Sequence, residues 1–167
     1  MCLLCCKNRF PDWQLLTNFG ATFRNMNKVF FKYADRTLLY ANKTELKKAI
    51  ENLFINEKKT LKHLVYVFCS DGYLLSLNQS FLNHNTYTDI ITFDLNETSQ
   101  ETIAEIYISI DRVKENAKTY ETTFANEIER VIFHGALHLC GYKDKSKQDV
   151  LLMRLKENQY LTIFLSL

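Results

Sequence analysis

The run KHLVYVFC, residues 62–69, restricts the fold more than any other stretch of the chain. It is apolar, β-branched and aromatic almost throughout, so it reads as a buried strand. A buried strand needs neighbours in a sheet and covering layers, and the flanking sequence supplies candidates for both. Upstream, KVFFKY at 28–33 has strand composition, and Leu46, Ile50, Leu53 and Phe54 recur at i, i+4, i+7, i+8 in a helix over 43–56. Downstream, Ser70 and Asp71 are N-cap candidates for a helix whose apolar stripe is Leu74, Leu77, Phe81 and Leu82.

The polar stretch NHNTYTD then reads as a loop, followed by strands at 89–94 (DIITFD) and 105–110 (EIYISI). Asp111 is the expected N-cap of a helix through Val113, Ala117 and Tyr120. A further helix covers 124–140, with Ile128, Val131, Ile132 and Leu139 on one face and Arg130, His134 and His138 on another. Gly141 ends it, and Ser146 with Asp149 forms a capping box for a last helix. The order β, α, β, α, β, β, α, α, α predicts a single α+β domain. Its mixed four-stranded β-sheet carries packed helices, among them a zincin-like helix bearing the two histidines.

At 167 residues the chain is long enough for one sizeable core. Four glycines and one proline leave little room for long linkers. The net charge of +2 is too small to establish nucleic-acid binding and does not oppose it. Five cysteines, three of them crowded at Cys2, Cys5 and Cys6, form no disulfide framework, which points to a reducing compartment. CLLCC lacks a second ligand pair and is not read as a zinc site. No run of 18 apolar residues exists, so no membrane association is expected. Residues 1–25 lack apolar periodicity and are expected to be a disordered, dispensable extension; the domain is expected to span 26–167.

The chemistry concentrates in HGALHLCGYKDK, residues 134–145. Histidines four apart share a helix face and can bind one cation at about 2.0–2.1 Å if it is zinc. Gly141 stops the helix just after them, and Asp144 lies on the returning loop. His134, His138 and Asp144 thus form a candidate three-ligand set with an open position for water. The spacing alone is also what an ordinary surface histidine pair would show.

Nine consecutive positions, His134-Gly135-Ala136-Leu137-His138-Leu139-Cys140-Gly141-Tyr142, fit the pattern H-G-x-L-H-L-x-G-Y of the YbeY family of bacterial endoribonucleases, which this chain resembles. SLNQSFLNHNTYTDIITFDL and EIYISIDRVKENA resemble the family's other segments in the same order, so the likeness covers roughly residues 45–160. Three positions depart from the family pattern. Asp144 stands where the family has a third histidine, Leu82 stands near a frequent arginine, and Lys143 replaces an aspartate.

The resemblance implies a metal-dependent endoribonuclease that cleaves single-stranded RNA. It implies action in maturation of the 3′ end of small-subunit ribosomal RNA and in ribosome quality control, in the cytoplasm. One Zn2+ per chain is expected, with ribosomal RNA and small-subunit ribosomal proteins as partners. No side chain is singled out as catalytic; the reaction is assigned to water at the metal. Lys143, Lys145, His84 and Tyr87 are the candidate substrate-binding residues on the rim.

Two other readings compete. A zinc peptidase of related fold would need a glutamate where Gly135 stands, to act as general base. A non-catalytic ribosome-assembly factor would hold a structural metal, which calls for four protein ligands. Cys140, two residues after His138, faces elsewhere on the helix and reads as core packing. Gly135 itself is read as leaving space above the metal for a bulky substrate.

Overall fold

A computed structural model of the protein describes residues 27–96 and 101–166. In chain order the elements are β1 (Val29–Tyr33), α1 (Lys43–Asn56), β2 (Leu61–Cys69), α2 (Asp71–Leu82), β3 (Ile90–Asp94) and β4 (Thr102–Ser109). Three helices follow: α3 (Ile110–Thr119), α4 (Phe124–Leu139) and α5 (Lys147–Leu165). The extension expected at 1–25 lies outside the described residues.

The sheet order is β1-β2-β4-β3, so the apolar run at 62–69 sits inside the sheet. β1 and β4 both pair parallel to β2, for example Val29 with Leu64 and Leu64 with Ala104. β3 closes the other edge antiparallel to β4, with Ile91 opposite Tyr107. This is the mixed four-stranded sheet that the alternation of signals implies.

The two faces of the sheet carry unequal cores. On one, Leu64, Tyr66, Phe68, Ala104, Ile106 and Ile108 meet the apolar sides of α1, α4 and α5. On the other, Leu74, Leu77 and Phe81 of α2 cover Cys69, Ile91, Phe93 and Tyr107. Alternation along β4 explains the division: even-numbered residues turn to the larger core, Tyr107 to the smaller. Phe133 of α4 is fully buried and its ring lies 6.2 Å from that of Tyr160 and 6.1 Å from that of Phe164, both on α5. Truncating such a ring costs about 3–5 kcal/mol, so this contact fixes α5 along α4 and determines which α5 residues reach the histidines.

The caps are local and chemical. Ser70, Thr123 and Ser146 each accept a backbone N–H through the side chain, and Ser146 and Asp149 form the full capping box. At α3 the structure corrects the sequence reading. Ser109, not Asp111, is the N-cap, accepting from the Arg112 backbone N–H at 3.1 Å. Asp111 lies inside the first turn, where a carboxylate still favours the helix dipole, and it pairs with Arg36. β4 also begins at Thr102, three residues earlier than its apolar run indicates.

Candidate metal centre

α4 brings the two histidines together, and its end brings in the third donor. Gly141 has φ +103°, the left-handed conformation that glycine adopts without strain. Its N–H donates to the His138 carbonyl at 2.9 Å, and the Tyr142 N–H donates to the Leu137 carbonyl at 3.1 Å. This is the Schellman closure of a helix. It folds the chain back beneath α4, so that Asp144 Oδ2 lies 3.9 Å from His134 Nε2 and 3.8 Å from His138 Nε2. The two Nε2 atoms are 2.9 Å apart. A tetrahedral ion with arms of 2.0–2.1 Å places its ligand atoms about 3.4 Å apart, and the three observed separations straddle that value.

The outer nitrogens decide which atoms face inward. His134 Nδ1 lies 2.8 Å from Glu157 Oε1, and His138 Nδ1 lies 2.9 Å from the Tyr142 carbonyl. Burial opposes ionisation of Glu157, but hydrogen bonds and charge from His134, Arg130 and Arg154 hold its carboxyl below the usual range. Both partners are acceptors, so each imidazole donates its Nδ1–H outward and directs its Nε2 inward, the orientation a metal ligand needs. His138 is almost completely buried, and burial together with the neighbouring His134 pushes its pKa down, which favours the neutral ring. Two Nε2 atoms and a carboxylate oxygen thus converge on one point, where a cation would take the place of the proton shared between the two rings at 2.9 Å. That donor set fits a divalent cation.

The loop is pinned from beneath. The Tyr142 hydroxyl donates to Glu57 Oε2 at 2.8 Å; Tyr160 and Lys156 donate to Glu57 Oε1 at 2.6 and 2.8 Å. Burial would raise the Glu57 pKa, yet these three donors hold it below the usual carboxylate range. The Glu57 carboxylate at the end of α1 so positions the tyrosine that follows the glycine stop.

Glu157 is the residue that sequence reasoning missed. It is buried on α5, and its Oε2 also accepts from Arg130 and Arg154, each at 3.0 Å. A signal existed: Met153, Glu157, Tyr160, Leu161 and Phe164 form one buried helical stripe, and a carboxylate on such a stripe demands a partner.

The structure also overturns the reading of Gly135. It does not open space above the metal. A Cβ built there would lie 2.8 Å from Ile90 Cδ1 and 3.0 Å from Ile106 Cδ1. The glycine lets α4 lie close against β3 and β4, and a glutamate at 135 would point into the core.

Beside the donors runs a cleft lined by Asp89, Tyr120, Glu127, Arg130, His134 and Asp144, with Arg154 and Glu157 on the α5 side. Lys143 and Lys145 are exposed on the Asp144 loop and do not line it. His84 and Tyr87 line a separate small pocket with Leu82, and the Arg112 guanidinium lies over the Tyr87 ring, 5.1 Å from its centroid. Cys140 packs against the larger core, and burial pushes its thiol up to about 12. It is not among the clustered donors. Among the described residues, the only group of donors suited to a metal is His134, His138 and Asp144. No described helix is long and apolar enough to cross a membrane.

Comparison with known proteins agrees with this geometry. The chain is similar to Endoribonuclease YbeY of Flavobacterium psychrophilum, 48% identical over 115 residues that cover 69% of this chain and 81% of that protein. To Endoribonuclease YbeY of Cytophaga hutchinsonii it is 42% identical over 135 residues, 81% of this chain and 94% of that one. The solution structure of TM1509 from Thermotoga maritima superposes with a TM-score of 0.53 at 26% identity, covering 81% of this chain and 88% of that one. The family model described as Endoribonuclease YbeY matches residues 31–164, and the chain belongs to that family.

Proposed function

We propose that this chain is a metal-dependent endoribonuclease specific for single strands. It acts in maturation of the 3′ end of small-subunit ribosomal RNA and in ribosome quality control, in the cytoplasm. Ribosomal RNA is its substrate and small-subunit ribosomal proteins are further partners. His134, His138 and Asp144 hold one zinc ion. The observation that carries the metal part is the convergence of two Nε2 atoms, each ring held from behind at Nδ1, and a carboxylate oxygen. The family supports the nuclease part, and the match over 31–164 supports 26–167 as the active unit, with residues 1–25 dispensable.

Zinc held there would acidify a water toward neutral pH and offset charge on a phosphoryl oxygen. The protein's own part is positional. Glu157 fixes the tautomer and angle of His134, and the Tyr142 carbonyl does the same for His138. Arg130 and Arg154 flank the cleft, where guanidinium groups suit phosphate oxygens. Lys143 and Lys145 extend that positive rim on the exposed side of the Asp144 loop; His84 and Tyr87 serve RNA that runs on toward β3. The peptidase alternative loses support, because the place of its general base is packed against Ile90 and Ile106.

The test is cleavage of a 3′-extended small-subunit ribosomal RNA fragment by wild type and by His134→Ala. Wild type should cut within the single-stranded extension, stop on chelation and recover with added zinc, while the variant stays inactive. Cleavage by His134→Ala at the wild-type rate would reject the proposal.

A further inference from the structure

Glu127 stands apart from the other charged groups of the cleft. Its side chain is almost wholly buried, at 4% exposure, yet it lines the cleft and makes neither a hydrogen bond nor an ion pair among the described residues. Burial raises its pKa, the nearby Asp89 and Glu157 add to this, and Arg130 and Arg154 oppose it. Among the described residues Glu129 Oε2 is the one fully buried side-chain oxygen without a partner, so the Glu127 oxygens open onto the cleft and present unfilled acceptors to whatever enters it. Glu127 precedes His134 by seven residues on the same helix, so it lies about 10 Å along the cleft from the metal donors. That is too far for proton transfer at the reacting phosphate and suits contact with an adjoining nucleotide.

Two neighbours complete the pattern. Asp89 presents a second carboxylate, oriented by Asn116, whose Nδ2 donates to its Oδ2 at 3.1 Å. Tyr120 stands at the rim with 60% of its surface exposed, available for stacking. An ionised carboxylate only accepts hydrogen bonds. Among the four bases, guanine alone offers two adjacent donors on its Watson–Crick edge, N1–H and N2–H, to one carboxylate. We propose that Glu127, with Asp89 beside it and Tyr120 as platform, is a guanine-recognising subsite next to the scissile phosphate.

The inference rests on the endoribonuclease reading, and its test separates the two. Short oligouridylates carrying one guanosine, or one inosine, which lacks the N2 amino group, are titrated by fluorescence anisotropy against zinc-loaded wild type and Glu127→Gln. Wild type should bind the guanosine strand about fivefold or more tighter than the inosine strand. Glu127→Gln should bring the ratio close to one with zinc content unchanged, and Tyr120→Ala should weaken both strands alike. Equal binding of the two strands by wild type would overturn the proposal, as would an unchanged ratio in a folded Glu127→Gln. The guanosine-to-inosine change probes the contact even if that variant fails to fold. Guanosine-dependent binding without cleavage would uphold the subsite and reject the nuclease reading.

Discussion

Replacing Glu157 by glutamine keeps its shape and removes its charge. In the wild type one carboxylate accepts from His134, Arg130 and Arg154, and it is 97% buried while Arg154 is half in solvent. Arg154 can rehydrate, so the loss falls on His134 and Arg130. A hydrogen bond to a charged group contributes about 1.5–3 kcal/mol and a neutral one about 0.5–1.5. Neutralising the acceptor for these two donors therefore costs about 2–3 kcal/mol, and the new NH2 group faces a guanidinium. In a domain of this size that lowers Tm by roughly 5–10 °C. The second effect is on the metal. Loss of an orienting partner behind a ligating histidine weakens metal binding by about 10–100-fold. Thermal unfolding of the metal-free protein reads the first effect, and competition with a chromophoric zinc chelator reads the second. If Glu157→Gln loses stability but binds zinc within twofold of wild type, Glu157 only holds α4 and α5 together, and its role in orienting His134 is refuted.

Asp144→Asn should weaken zinc binding, whereas Asp144→His should retain it; full occupancy of Asp144→Asn at limiting zinc, with cleavage lost, would make the carboxylate an acid or base instead of a ligand. Gly135→Ala adds about 1 kcal/mol of helix propensity but overpacks Ile90 and Ile106 by about 1–3 kcal/mol, so its Tm should fall, with partial recovery in Gly135→Ala/Ile90→Val; a higher Tm for the single variant would show that the close approach is not tight. The Glu57 carboxyl is depressed in the folded state, so its contribution is complete above the unfolded value near 4.5 and disappears as pH falls through the lower folded value. The Tm advantage of wild type over Glu57→Gln should accordingly hold at neutral pH and shrink as pH falls below about 4.5, and a constant difference would contradict the pairing.

Much of this was legible in the chain because it is written in local chemistry. The apolar run at 62–69 marked an interior strand, the 3.6-residue stripes of α1 and α4 marked helices, and Gly141 marked the turn that returns Asp144. What could not be read depends on contacts between distant segments. Glu157 meets His134 across 23 residues, and Glu57 meets Tyr142 across 85, through helix packing that no local pattern encodes. Gly135 misled for the same reason: a missing side chain looks like open space until Ile90 and Ile106 are found within van der Waals range. Asp111 was mistaken for a cap because serine and aspartate both cap helices, and only the backbone shows which residue precedes the first turn.

At the centre of the proposed function, three side chains share one ion. X-ray absorption at the zinc edge, on protein loaded at limiting zinc, tests this most directly. It should show one zinc per chain bound by two imidazole nitrogens and carboxylate or water oxygens at about 2.0–2.2 Å, and the double variant His134→Ala/His138→Ala should retain no stoichiometric zinc. Zinc content unchanged in that double variant, or a sulfur shell at about 2.3 Å, would contradict it.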